Sequence, residues 1–317
     1  MKIINSKVNR NEKIKEQTNN FRPNALEDFI WQEEIKNILQ SAIISSIKRE
    51  DSLGHILFSG DSWFWKTTLA NIIAHSLGKN IKIITAYAME KPADMISVLN
   101  QLEEWDLLFI DEIHRLKPKI EEILYIAMED FRVDLVMEDE TISLPIKKFT
   151  LVGATNKLES LSDAFKNRFV YKFHLKHYTD KEKQLILKKY LDEFEISYNK
   201  NILEQLSKKC LPVPREIKNL AIKIRDYLVA SGFKKPIIDN EIYKELINNL
   251  KLEEHGLSSL QKQYLEILKE NDVVGLKTIA NQLNVDEKVI EKDIEPLLIN
   301  LWLIKKTSRW RQIQIKD

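Results

Sequence analysis

A glycine, a lysine and two hydroxyls form the first chemical pattern in this chain of 317 residues. In HILFSGDSWFWKTTLANIIAHSLG, His55 to Gly78, an apolar run leads into Gly60, and Lys66, Thr67 and Thr68 follow as a helical pattern begins. Strand, loop and helix start in that order make a phosphate cradle. Backbone N–H groups converge on the β- and γ-phosphates, the lysine adds a point charge, and the hydroxyl binds Mg²⁺. Lys66 and Thr67 fill those last two roles. The motif G-x-x-x-x-G-K-[ST] wants glycine before its lysine. Here that residue is Trp65, with Trp63 two positions earlier.

Five further patterns carry chemistry. LLFIDEIH, Leu107 to His114, is an apolar run ending in Asp111 and Glu112. One carboxylate there sits beside Mg²⁺ and the next activates water. LVGATN ends at Asn156, an amide at a strand end suited to sensing a γ-phosphate or orienting water. In AFKNRF, Arg168 precedes a strand. Such an arginine reaches a neighbouring subunit's nucleotide, or is simply a solvated surface group. Arg215 in PVPREIK opens a helix, and a cation at that end of the dipole calls for an anion, either a phosphate or a structural carboxylate. Lys305, Lys306, Arg309 and Arg311 cluster within seven residues near the end of the chain. They suit a nucleic-acid backbone, against the plainer reading of a solvated hairpin.

These groups need elements to hold them. HILFSG, IKIITAY, DLLFIDE, FTLVGAT and YKFHL are strand-like runs, and TTLANIIAHSL, ADMISVLNQLEE and KIEEILYIAMEDF between them are helix-like. Alternation of this kind predicts a parallel sheet covered by helices. FRVDLVMEDETISLPIKKF interrupts it as a projecting hairpin turning at Glu138-Asp139-Glu140. From Thr179 to Leu252 the chain reads as wholly helical, with a capping box at Thr179 and Glu182 and a helix opened by Pro214. From Glu253 three helices precede LWLIKKTSRWRQIQI, an alternating hairpin. That is the outline of a winged helix-turn-helix.

Bulk composition narrows the class. Hydrophobic residues make up 44% and charged residues 31%, as in a soluble protein with a core. A net charge of +1 confines any basic surface to a local patch. The single cysteine, Cys210, excludes an intramolecular disulfide and suits a reducing cytoplasmic setting. Cys210 and the six histidines lack metal-ligand spacing. No apolar run reaches the ~18 residues of a membrane span. The opening MKIINSKVNRNEKIKEQTNN is polar, has no signal-peptide core and reads as a flexible arm.

In this order the motifs resemble an AAA+ ATPase, and FRPNALEDFIWQ, EKPADMISVLNQLEEWDLLFIDEIHRL, EEILYIAMEDF, FTLVGATN and NRF are similar to the RuvB family of Holliday-junction motors. So is the tail from Gly256 to Arg311. The resemblance implies an AAA+ P-loop domain over 21–178, with its hairpin at about 131–148, after an arm over 1–20. A small all-α lid domain over 179–252 and a winged-helix domain over 253–317 complete the chain. It implies ATP and Mg²⁺ as cofactors and a cytoplasmic homohexamer on duplex DNA at junctions. The partners it implies are RuvA, docked on the hairpin, and RuvC. Phe21 and Arg22 would lie at the adenine, and Gly60, Trp63, Trp65, Lys66, Thr67 and Thr68 at the phosphates. Thr67 and Asp111 would hold the metal, Glu112 would be the base, Asn156 the first sensor, Arg168 the arginine finger and Arg215 the second sensor. Glu129, Asp130, Phe131 and Tyr178 match other nucleotide-lining positions. Lys306, Arg309 and Arg311 would touch DNA. The hairpin lacks the family's glycine-rich tip and is a few residues short. Asn156 stands where the family usually has threonine.

Glycine numbers only 7, tryptophan 6. The family pattern has glycine at each tryptophan: Trp31, Trp63, Trp65, Trp105, Trp302 and Trp310. A loop whose N–H groups approach phosphate within ~3 Å leaves little room for an indole. Six UGA codons, read as glycine in the cell and written as tryptophan, account for all six positions. Taken literally, the tryptophans imply a nucleotide-dead DNA-binding scaffold. A clamp-loader-like ATPase is a third reading, which the basic winged tail opposes.

Overall fold

The computed structural model describes residues 25–314 except 31, 61–64, 138–139, 233–236 and 272. The described residues form two compact units. One runs to Glu193 and includes Pro212–Lys218; the other comprises Phe194–Leu211 and the chain from Asn219 onward.

The first unit is built on five apolar strands: β1 (Ile56–Ser59), β2 (Ile81–Thr85), β3 (Leu107–Asp111), β6 (Thr150–Thr155) and β7 (Tyr171–His174). Every residue of β1 and β6 is buried, as befits strands covered on both faces. The order across the sheet is β2-β3-β6-β1-β7, all parallel. Parallel neighbours cannot be joined by tight turns, so helices make the crossovers. α1 (Glu33–Arg49) precedes β1, and the crossovers are α2 (Lys66–Leu77), α3 (Pro92–Leu99), α4 (Pro118–Asp130) and α5 (Asp163–Lys166). β4 (Arg132–Met137) and β5 (Glu140–Pro145) pair antiparallel from Arg132↔Pro145 to Met137↔Glu140. The expected hairpin is therefore present, with residues 138 and 139 of its turn outside the described set. α6 (Asp180–Glu193) closes this unit. Its capping box forms as expected: Thr179 N donates to Glu182 Oε2 at 2.7 Å, and Glu182 N to Thr179 Oγ1 at 3.3 Å.

One buried histidine ties three of these elements together. Leu151 N donates to His55 Nδ1 at 2.9 Å, so the proton sits on Nε2, which donates to the Met128 carbonyl at 3.0 Å. Both ring nitrogens are thus used in the neutral form, and burial holds the imidazole below its ordinary pKa of 6.5.

The second unit holds α7 (Lys200–Ser207), α8 (Pro214–Ala230, begun in the first unit) and α9 (Asn240–Leu250). The stretch is not wholly helical. Extended segments β8 (Ser197–Tyr198) and β9 (Ile237–Ile238) pair in parallel. Then come α10 (Ser259–Glu270), α11 (Leu276–Leu283), α12 (Glu287–Val289) and α13 (Glu295–Asn300), followed by β10 (Ile304–Lys306) and β11 (Arg311–Ile313) as an antiparallel wing. The third helix of this winged fold is broken by a π turn, Ile290–Ile294. Pro296 is the reason: it has no N–H to donate, and its ring displaces the carbonyl four residues back. Tyr264, Ile279, Ile290 and Leu298 fill this small core.

Because folded His55 resists protonation while the unfolded chain binds the proton near pH 6.5, its contribution is complete above that value and declines as pH falls through it. Thermal unfolding followed from pH 7.5 to 5 is expected to show this loss, and His55→Gln to flatten it. An unchanged slope in the variant removes His55 from the account.

Candidate functional site

The strand order puts the carboxyl ends of β3, β6 and β1 side by side, the usual place for a ligand in an open parallel sheet. β1 ends into Gly60, whose N–H donates to the Thr155 carbonyl at 3.1 Å. Its φ of 137° is open to glycine and little else. Residues 61–64, including Trp63, lie outside the described set. The chain resumes at Trp65 as the N-cap of α2, so Lys66, Thr67 and Thr68 form the first helical turn, where N–H groups lack intrahelical partners. Lys66 is buried, and its Nζ donates to the carbonyl of Gly60 at 2.7 Å and of Thr155 at 3.4 Å. A cation is thus held over the ends of β1 and β6.

The carboxylates arrive on β3. Asp111 ends the strand, and its Oδ1 accepts from Glu112 N at 3.0 Å. Glu112 turns left-handed, φ 50°, and its Oε2 lies 3.5 Å from His114 Nδ1. That same nitrogen is 3.0 Å from Thr155 Oγ1 at the end of β6. His114 therefore links the β3 carboxylate to the strand that presents Asn156. Burial lowers its pKa despite the nearby Glu112. Sequence reading missed this histidine, although it stands within the LLFIDEIH run. Asn156 is exposed directly after β6. Among the described residues no three His, Cys, Asp or Glu side chains gather as a metal site. Asp111 and Thr67 carry a carboxylate and a hydroxyl, hard oxygen donors of the kind that suits Mg²⁺ when substrate phosphates and water supply the rest.

Beside Trp65 a half-open pocket is lined by Phe29, Trp65, Tyr178, Ile186, Lys189, Tyr190 and Pro214, all of the first unit. The rings of Phe29 and Trp65 meet edge to face at 6.0 Å. Burial, with Glu182 and Tyr190 nearby, raises the Tyr178 hydroxyl well above its ordinary value. Phe29, Ile186, Lys189 and Tyr190 carry no site signal in the sequence; the last three fall in a run that reads as helix. Phe21 and Arg22 lie outside the described set. Arg215 is exposed at the second position of α8.

A second cluster gathers at the end of α4. Arg168 Nε lies 3.4 Å from Glu129 Oε1. Asp130 pairs with Arg132 at 3.3 Å, and Phe131, φ 50°, packs edge to face on Phe149.

Four tryptophans are described. Trp105 and Trp302 are left-handed, φ 69° and 58°, a conformation that costs an L-residue ~1–2 kcal/mol and glycine almost nothing. Trp65 has φ −48°, which any L-residue adopts, so its backbone does not call for glycine. Trp310 is half exposed on the wing, and its N–H donates to Thr307 Oγ1 at 2.9 Å.

On the wing the basic residues separate. Lys305 and Arg309 are exposed. Lys306 Nζ lies 2.7 Å from Glu295 and 3.1 Å from Glu291. Arg311, expected on DNA, is only 3% exposed: its Nε donates to Glu295 Oε1 at 2.7 Å, and Tyr264 Oη donates to the same oxygen at 3.1 Å. Burial pushes the Glu295 carboxyl up, but Arg311 and Lys306 outweigh it and hold it low. The wing is thereby fastened to α13.

A family model described as the Holliday junction DNA helicase RuvB P-loop domain matches residues 21–175, and the RuvB C-terminal winged helix domain matches residues 254–316. The Holliday junction branch migration complex subunit RuvB of Campylobacter lari is 39% identical over 302 residues, 93% of this chain and 89% of that one. Its counterpart in Helicobacter pylori is 37% identical over 296 residues, 92% and 88% of the two chains. The solved Thermotoga maritima RuvB Holliday junction branch migration motor superposes with a TM-score of 0.76 at 33% identity, over 92% of this chain and 95% of that one. The FIGL-1 AAA domain, TM-score 0.54 at 14% identity, shares the fold alone.

Removing one partner of the buried Arg311–Glu295 pair leaves the other on a secondary partner, Glu295 on Lys306 or Arg311 on Glu291, so the cost falls below the ~3–5 kcal/mol of a fully stranded charge. Denaturant unfolding is expected to show that loss for Arg311→Met and for Glu295→Met, with much of it recovered in the double variant. Equal, additive losses would mean that the two do not act as a pair.

Proposed function

The chain belongs to the RuvB family, and on that premise we propose that it is an ATP-driven DNA motor that moves Holliday junctions during recombination and repair. The observation that carries this reading is the meeting of three strand ends: Gly60 with Lys66 from β1, Asp111 with Glu112 from β3, and Thr155 with Asn156 from β6. That set binds a nucleoside triphosphate and activates water beside it.

We assign the roles as follows. The first turn of α2 and Lys66 hold the phosphates, and the aromatic pocket beside Trp65 takes the base. Thr67 and Asp111 would hold Mg²⁺, which would supply charge neutralisation on the phosphates. Glu112 takes a proton from the attacking water, and Asn156 orients that water. Arg168 serves the nucleotide of the neighbouring subunit in a homohexamer, with Glu129, Asp130 and Phe131 at that same face. Arg215 answers the phosphates from α8. The three-domain division at 178 and 252 is kept as a functional one: motor, lid and DNA reader. On the wing, Lys306 and Arg309 meet duplex DNA, and Arg311 fixes the hairpin that carries them. The hairpin at 131–148 docks RuvA, and RuvC joins the resolving complex. No helix among the described residues is long and apolar enough to cross a membrane.

The tryptophans bear directly on this reading. Left-handed backbone at Trp105 and Trp302, and an indole at the phosphate loop, support glycine as the residue the cell inserts at all six positions. UGA codons at the six positions are the expected finding, and UGG codons would contradict it.

Nucleotide binding separates the motor from a nucleotide-dead scaffold. The full chain with Trp63→Gly and Trp65→Gly is expected to bind ATP at least ~10-fold more tightly than the tryptophan form and to hydrolyse it. Equal affinity and ordinary turnover in the tryptophan form would defeat the steric argument. No binding by either form would favour the scaffold.

A further inference from the structure

Arg168 sits in a holder that the motor reading leaves unassigned. Its guanidinium lies 4.5 Å from the centroid of the Tyr125 ring. One Nη donates to the Ala164 carbonyl at 2.7 Å. The other approaches Glu129 Oε2 at 3.5 Å, and Nε, buried and without a hydrogen bond, is 3.4 Å from Glu129 Oε1. Arginine has five N–H donors in a fixed plane. Here one face is stacked, one edge is fixed to backbone, and the edge toward Glu129 makes only long contacts. Glu129 is 58% exposed, so water screens that pairing. An anion arriving at this edge can displace it.

The ring itself is anchored. Tyr125 Oη bonds to Glu121 and lies 2.8 Å from Ser162 Oγ. Ser162 Oγ donates to Glu121 Oε1 at 2.5 Å and accepts from Phe165 N at 3.2 Å, which caps α5. One serine thus starts the short helix that leads to Arg168 and fixes the tyrosine beneath it. Glu121, Tyr125 and Glu129 are spaced by four along α4 and so form one stripe of that helix. The Tyr125 ring also packs on Phe165 at 5.4 Å.

We propose that Tyr125, anchored by Glu121 and Ser162, is a positioning residue that holds the Arg168 guanidinium by its face, so that the edge now turned to Glu129 can pass to a phosphate of the adjoining subunit. This rests on the reading of Arg168 as a finger given in trans. Stacking suits the task. It is not directional within the plane, so it does not compete with phosphate for the N–H donors. Glu129 is the exchangeable partner that occupies the edge until a stronger anion arrives.

The test is steady-state ATP hydrolysis by the full chain, in whichever form at positions 63 and 65 turns over. Tyr125→Leu is expected to lower kcat about 10- to 100-fold, the scale of a misplaced catalytic group, with KM for ATP unchanged. Tyr125→Phe keeps the ring but loses its anchor, and its kcat is expected to fall between those of the wild type and Tyr125→Leu. Rings mixed from Tyr125→Leu and Glu112→Gln subunits should be faster than either parent. The Glu112→Gln subunit brings a well-held Arg168 to the intact site of its neighbour. A merely misfolded variant cannot be rescued in this way. Wild-type kcat in Tyr125→Leu, or no gain on mixing, overturns the proposal. Arg168→Ala, measured alone and mixed with Glu112→Gln, tests the premise separately. If it is slow and rescued while Tyr125→Leu is normal, the finger stands and the holder falls. If Arg168→Ala turns over normally, the finger reading itself fails.

Discussion

Parallel pairing of β6 with both β3 and β1 is the constraint from which the motor site follows. Neither side of the chemistry works alone. The lysine and hydroxyls come from the segment after β1, and the carboxylates come from β3, some 45 residues later. β6 lies between them and sets their spacing through its two ladders, Ile56↔Val152 to Ser59↔Thr155 on one side and Leu107↔Thr150 to Ile110↔Gly153 on the other. A slip of one residue on either side would turn every side chain to the opposite face. Both faces of β1 and β6 are buried, so such a slip would exchange two packed faces and misfit the side chains on each against their neighbours.

Two details show how tightly the strand ends are coupled. The Thr155 carbonyl accepts from both Gly60 N and Lys66 Nζ, while its hydroxyl meets His114. One residue at the end of β6 thus touches the phosphate-loop side and the carboxylate side together. The same economy recurs at Ser162, which caps α5 and steadies Tyr125. In the winged-helix domain Glu295 has that place, gathering Tyr264, Lys306 and Arg311 around one buried carboxylate. At Thr155 and Glu295 a polar group buried by folding is satisfied by several partners, which is what makes its burial tolerable.

Much of this was legible beforehand. The five sheet strands, the crossover helices, the hairpin and the winged tail are long enough, or periodic enough, to declare themselves. The residues at the strand ends were legible because a phosphate cradle and a paired carboxylate have fixed local spacings. What stayed hidden depends on contacts distant in sequence. The strand order is set by which faces pack, not by any run of residues. β8 and β9 are two residues each, too short for a pattern. Arg311 reads as a surface cation because the carboxylates that bury it lie on another element. Glu121, Tyr125 and Glu129 are visible at helical spacing, but an amphipathic helix explains that spacing equally well. His55 gave no signal at all, since a lone histidine before a strand is uninformative. The tryptophans are the reverse case: their oddity was plain in the sequence, and the backbone at Trp105 and Trp302 gave it a physical form.

The central claim is that Glu112, delivered by β3 to the phosphate cradle of β1, turns ATP binding into movement of DNA. It is tested most directly on a synthetic four-way junction, with the full chain carrying glycine at 63 and 65 compared with the same chain bearing Glu112→Gln. The account predicts that both bind ATP with similar affinity, and that only the first drives branch migration when ATP is added. Migration at an equal rate by the Glu112→Gln chain would contradict it.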